Sequence, residues 1–114
     1  MRVISEMKIK RTKLLRLIGK KLITLPWGVY AAPKALVTED DMIHEFIHIK
    51  QWRELWYVGF LIWYIVEFLI RLVANGFKFK KAYRGISFER EAYKNEDDRN
   101  YLQTRKRYAF MQYI

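Results

Sequence analysis

The chain has 114 residues, a length that fits one domain. It contains no cysteine, which excludes disulfides and thiolate metal sites and leaves imidazole and carboxylate to hold any metal. The 22 Lys and Arg against 12 Asp and Glu give a formal charge of +10, which favours acidic partners such as nucleic acid, anionic lipid or an acidic protein surface.

Residues 1–24 read as a basic amphipathic helix. Arg2, Lys8, Lys10, Arg11, Lys13, Arg16, Lys20 and Lys21 are opposed only by Glu6, and Leu14, Leu15, Ile18 and Leu22 fall on one helical stripe. No apolar run with a small-residue cleavage site follows this charged start, so no secretory signal is read. Pro26 ends the segment. Trp27 to Ala31 then reads as a short strand stopped by Pro33. Lys34 to Val37 can extend it.

Thr38-Glu39-Asp40-Asp41 is a helix start, because Thr38 can cap and acids fill the first turn. The spacing predicts one helix from Glu39 to Trp56 and a second from Val58 to Ala74, stopped by Asn75-Gly76. Phe77 to Gly85 reads as a basic loop. Ser87 can cap a third helix over Phe88 to Gln103, and the tail from Arg105 to Ile114 reads as irregular. The expectation is a mainly α single domain over 1–114, with its helical metal-binding core over 38–103.

His44 and His48 are the only histidines. Four residues apart on a helix they share a face, and both imidazoles can reach one zinc ion. Glu45 lies about 100° around the helix from His44, where it reaches a water on the metal instead of the metal itself. A catalytic zinc takes three protein ligands, so the third must be a carboxylate. Glu89 and Glu91 both qualify, and they point about 200° apart, so one of them serves. Glu89 is preferred, because it shares its face with Ala92, whose small side chain allows close helix packing.

The pair of motifs, His44-Glu45-Phe46-Ile47-His48 and then Glu89-Arg90-Glu91-Ala92, resembles the gluzincin pattern. The whole chain resembles small zincin-like, metallopeptidase-like proteins of bacteria and their tailed phages. The resemblance implies a minimal zincin-like helical domain with a short edge strand or hairpin before the HExxH helix. It implies one zinc per chain, His44, His48 and Glu89 as ligands, Glu45 as general base, and a peptide or protein substrate that pairs, extended, with a free edge of the Trp27 to Ala31 strand. A cytoplasmic or virion-associated protein that keeps the metal site for assembly fits the same resemblance. One departure stands out: Tyr93 occupies the position where gluzincins carry an Asp that orients a ligand histidine. Glu67 is a candidate replacement, with Arg71 one turn on as its alternative partner. Tyr83 and Tyr93 are candidate oxyanion donors.

Two further expectations concern partners. Trp52, Trp56, Tyr57, Phe60, Trp63, Tyr64 and Phe68 form an aromatic stripe that reads as core. The second helix, interrupted by Glu67 and Arg71, reads as buried in protein ahead of membrane contact. The basic N-terminal segment offers a contact for an acidic partner, whether nucleic acid, anionic membrane or protein.

Overall fold

The computed structural model describes residues 9–13, 22–25, 28–33 and 36–114. The fold is mainly helical, with a small sheet ahead of the helices. Three strands, β1 (Ile9–Arg11), β2 (Leu22–Leu25) and β3 (Gly28–Ala31), lie in the order β1-β3-β2. β1 runs parallel to β3, pairing Ile9 with Val29, and β2 runs antiparallel to it, pairing Leu22 with Ala31. Two expectations are corrected here. Ile9–Arg11 and Leu22–Leu25 are strands where the sequence predicts a basic helix, Thr12 and Lys13 are not helical either, and the remainder of that helix lies outside the described residues. The expected strand forms over Gly28–Ala31, but it is the central one and has no free edge. The strand beside the metal site is β2, with Leu22 and Thr24 buried.

Helix α1 (Glu39–Glu54) begins as expected. The Asp41 amide donates to Thr38 Oγ1 at 3.1 Å, and the Thr38 amide donates to Asp41 Oδ2 at 2.9 Å, so the capping box is complete. Glu39, Asp40 and Asp41 face the positive end of the helix dipole. Leu55 ends α1, and the left-handed conformations of Trp56 (φ 57°) and Tyr57 (φ 61°) turn the chain by 112° into α2 (Val58–Ala74). Gly76 (φ 62°) and Phe77 (φ 64°) make the next turn. The segment expected as a loop contains a helix, α3 (Phe79–Gly85), which has no side-chain cap and is held by Ala82, fully buried at its centre.

The third expected helix is two. α4 (Ser87–Asn95) is followed by a turn and the short α5 (Tyr101–Thr104). The tail closes on a 3-10 helix (Ala109–Tyr113), where the sequence predicts irregular chain. Ser87 does not cap α4 with its side chain. Instead Glu67, from the middle of α2, accepts the Ser87 amide and the Ser87 hydroxyl, each at 2.6 Å, and the Trp63 indole at 3.2 Å. Arg71 adds a weaker contact at 3.5 Å. A carboxylate at a helix N-terminus meets unpaired amides and the dipole together, which fixes where α4 starts.

The main core gathers Trp52, Phe60, Ile86, Phe88 and Phe110 from four segments, with Trp63, Tyr64 and Phe68 packed against it. The aromatic stripe is therefore core as expected, except Trp56 and Tyr57, which are exposed. The second helix departs further from expectation. Only Phe60, Glu67 and Leu72 of α2 are buried, and its other aliphatic residues are exposed. Among the described residues, no single helix is long and apolar enough to cross a membrane.

Candidate metal centre

α1 and α4 pack side by side and bring three donor atoms together. His44 Nε2 and His48 Nε2 lie 3.1 Å apart, and Glu89 Oε1 lies 3.3 Å from the first and 3.2 Å from the second. All three residues are buried. Of the two carboxylates weighed in the sequence, Glu89 lies with the histidines, whereas Glu91 is bound to Gln51 and Arg105. Ala92 is fully buried against Ile43 and Ile47, which lets α4 approach α1 closely.

The surroundings decide which ring nitrogens carry hydrogen. His44 Nδ1 faces Glu96 Oε1 at 3.0 Å, and a carboxylate only accepts. His48 Nδ1 faces Gln51 Oε1 at 2.7 Å. The Gln51 amide cannot be reversed, because its Nε2 donates to the Phe88 carbonyl at 3.1 Å and to Glu91 Oε1 at 2.9 Å. Both Nδ1 atoms are therefore donors. In the neutral rings both Nε2 atoms present bare lone pairs, and these converge with a carboxylate oxygen. Three acceptors this close repel one another unless a cation sits among them. A triangle with edges of about 3.2 Å is also the face of a tetrahedron whose centre lies about 2.0 Å from each corner, the bond length of a zinc–imidazole site. The His44–His48–Glu89 group fits a metal ion.

Without metal, a proton takes that role. Burial favours neutral His48, but Glu89 beside it more than offsets burial and raises His48 from 6.5 to about 9. Burial likewise opposes ionised Glu89, and the His48 and His44 imidazoles overcome it, holding the carboxyl well below its ordinary value. His48 is raised, so its contribution to the metal-free fold is complete below pH 6.5 and is lost as pH climbs through about 9. Metal must displace that proton. Metal affinity is thus expected to rise about tenfold per pH unit across neutral pH and to level off above about 9, as read by competition with a chelator.

The carboxylate behind the His44 ring is that of Glu96, at the C-terminal end of α4, two turns beyond Glu89. Tyr93 instead packs edge-on against the His44 ring, with centroids 4.5 Å apart, and carries the Arg84 guanidinium on its face at 4.1 Å. Glu67 orients no histidine, because Ser87 and Trp63 occupy it. Glu96→Ala is expected to weaken metal binding roughly 10- to 100-fold without unfolding the chain, since partners behind ligand histidines have effects of that size. Metal titration with the far-UV spectrum as control tests this.

Glu45 sits outside the triangle. Its Oε2 accepts the Thr24 hydroxyl at 2.5 Å. It lines a cavity of about 210 Å³ together with His48, Glu89, Ile23, Thr24, Leu25, Trp52, Phe60, Leu61, Tyr64 and Tyr83. The outer edge of β2 forms one wall, where the Thr24 carbonyl accepts the Trp52 indole at 3.3 Å. Tyr64 donates to Glu89 Oε2 at 2.9 Å, so both oxygens of that carboxylate are directed. Burial and then the Glu89 charge raise the phenols of Tyr64 and Tyr83, which keeps both as hydrogen-bond donors. Of the two tyrosines singled out in the sequence, Tyr83 lines the cavity and Tyr93 does not.

Sequence reasoning missed Thr24, Gln51, Tyr64 and Glu96. Two of these carried a signal. Gln51 follows His44 and His48 on the same helical face, and Glu96 repeats the face of Glu89. Thr24 and Tyr64 carried none, because they reach the site through tertiary packing. The chain matches no protein-family model, no curated protein and no solved structure.

Proposed function

We propose that this chain is a small zinc metallopeptidase. One observation carries the proposal: His44, His48 and Glu89 converge on one point, and two of them, His48 and Glu89, line the same cavity as the Glu45 carboxylate, which lies outside the converging group. Two imidazoles and one carboxylate are the donor set of a catalytic zinc with an open position. Its resemblance to the gluzincin pattern supports the same reading. Lewis acidity toward a carbonyl, and activation of water at neutral pH, are what zinc supplies when bound.

The chain's own residues divide the remaining work. Thr24 fixes one oxygen of Glu45 and leaves Oε1 to take a proton from attacking water and pass it to the leaving amine. Tyr83, hydrogen-bonded to Tyr93, lines the same cavity, and its hydroxyl would have to leave that partner to reach a developing oxyanion. Tyr64 holds Glu89 in place. The edge of β2, not β3, is the strand along which an extended peptide pairs.

The test is incubation of the zinc-loaded chain with a broad peptide library. Cleavage that stops on chelation and returns with zinc supports the proposal. Stoichiometric zinc with no cleavage of any peptide overturns it, and leaves a scaffold that keeps the ion for structure or assembly.

A further inference from the structure

Helix α2 is turned inside out relative to an ordinary surface helix. Its two charged side chains face the protein, where Glu67 is bound to Ser87 and Trp63 and Arg71 lies against Gly85. Its outer face is aliphatic: Val58, Ile62, Ile65, Val66, Leu69 and Val73 are each about half exposed or more. On a helical projection these positions span about 100° of the circumference, and no polar residue interrupts them. Exposed aromatic residues flank the face at both ends, Trp56 and Tyr57 before it and Phe77 and Phe79 after it. An uninterrupted apolar surface of this kind marks a contact site.

The charge beside the face says what covers it. Between Glu67 and Glu89 the sequence holds five cations and no acid. Lys78, Lys80, Lys81 and Arg84, from the turn and helix that follow α2, line one shallow exposed depression together with Arg90. A second copy of a +10 chain is repelled by this charge, whereas an anionic surface is attracted. Tryptophan and tyrosine at the margins of an apolar face suit the headgroup layer of a bilayer. The helix has 17 residues, about 25 Å, and one side is covered by protein. It is therefore suited to lie in the plane of a membrane surface, not to span it.

We propose that the outer face of α2, with the cationic rim of α3, docks this chain on an anionic lipid bilayer. The proposal is independent of the metal and of any hydrolysis.

The test is flotation of the full chain with vesicles of phosphatidylcholine alone, or of equimolar phosphatidylcholine and phosphatidylglycerol. The chain is expected to float with the anionic vesicles, to stay behind with the neutral ones, and to be released by high salt. The double variant I65Q/L69Q changes only exposed positions and is expected to weaken anionic-vesicle binding at least tenfold, with far-UV spectrum and thermal midpoint unchanged. K80E/K81E is expected to weaken it by a similar factor. Failure to float with anionic vesicles overturns the proposal, as does a stable dimer that ignores them. Full binding by I65Q/L69Q also overturns it, because the basic N-terminal residues would then be the contact.

Discussion

Glu45→Gln is expected to lower peptide hydrolysis roughly 10²- to 10⁴-fold while leaving zinc bound at wild-type stoichiometry. The substitution preserves shape, and the glutamine oxygen can still accept the Thr24 hydroxyl that now reaches Oε2. What it removes is a group able to take and return a proton. The metal triangle is untouched, because its corners are His44, His48 and Glu89. Zinc content by elemental analysis and turnover on one cleaved peptide separate the two effects. A Glu45→Gln protein with wild-type turnover refutes the assignment of the base. One that loses zinc shows that Glu45 supports the ligands.

Arg105→Ala is expected to destabilise the fold by about 3–5 kcal/mol, a large share of the roughly 5–15 kcal/mol that holds a domain together. The Arg105 side chain is 2 % exposed, and it donates from Nε to Glu91 Oε2 at 2.5 Å and from Nη1 to Glu54 Oε2 at 2.8 Å. Glu91 is fully buried, so removing the guanidinium strands a carboxylate out of reach of water. Tyr101 still donates to it at 2.7 Å, but a phenol does not cancel a charge. The same carboxylate accepts from Gln51, which orients His48, so metal affinity is expected to fall as well. Urea unfolding gives the first effect through the midpoint at constant slope. Arg107→Ala, two residues on and exposed, is expected to change stability by less than about 0.5 kcal/mol. Equal midpoints for the two variants would show that the buried pair is not structural.

How much of this was legible in the sequence depends on how local the cause is. The start of α1 was legible because Thr38 and Asp41 are neighbours that cap each other. The convergence of His44 and His48 was legible because one helical turn places them together, and that of Glu89 because Ala92 marked the close face of α4. Glu91 was harder. Its sequence context is that of a surface acid near a helix start, whereas its partner Arg105 sits in a tail with no periodicity at all. α3 was hidden for a similar reason. A basic segment has an unfavourable charge for a helix start, and only the burial of Ala82 holds the helix. The largest misreading was α2, where apolar sequence was taken to mean buried sequence. The pattern gave the helix and its bounds, but nothing in a run of aliphatic residues says which of them turn toward the protein.

Two imidazole nitrogens and one carboxylate oxygen converge at the centre, each held by a partner behind it, and this bears on which ions can live there. Magnesium and calcium ask for six or more oxygens and surrender hydration reluctantly, so imidazoles are poor hosts for them. Late first-row ions accept two imidazoles readily, in the rising order from manganese to copper. The abundant hard cations are thus turned away by the nature of the donors, and competition for the centre is confined to the scarce borderline metals, where supply chooses the occupant.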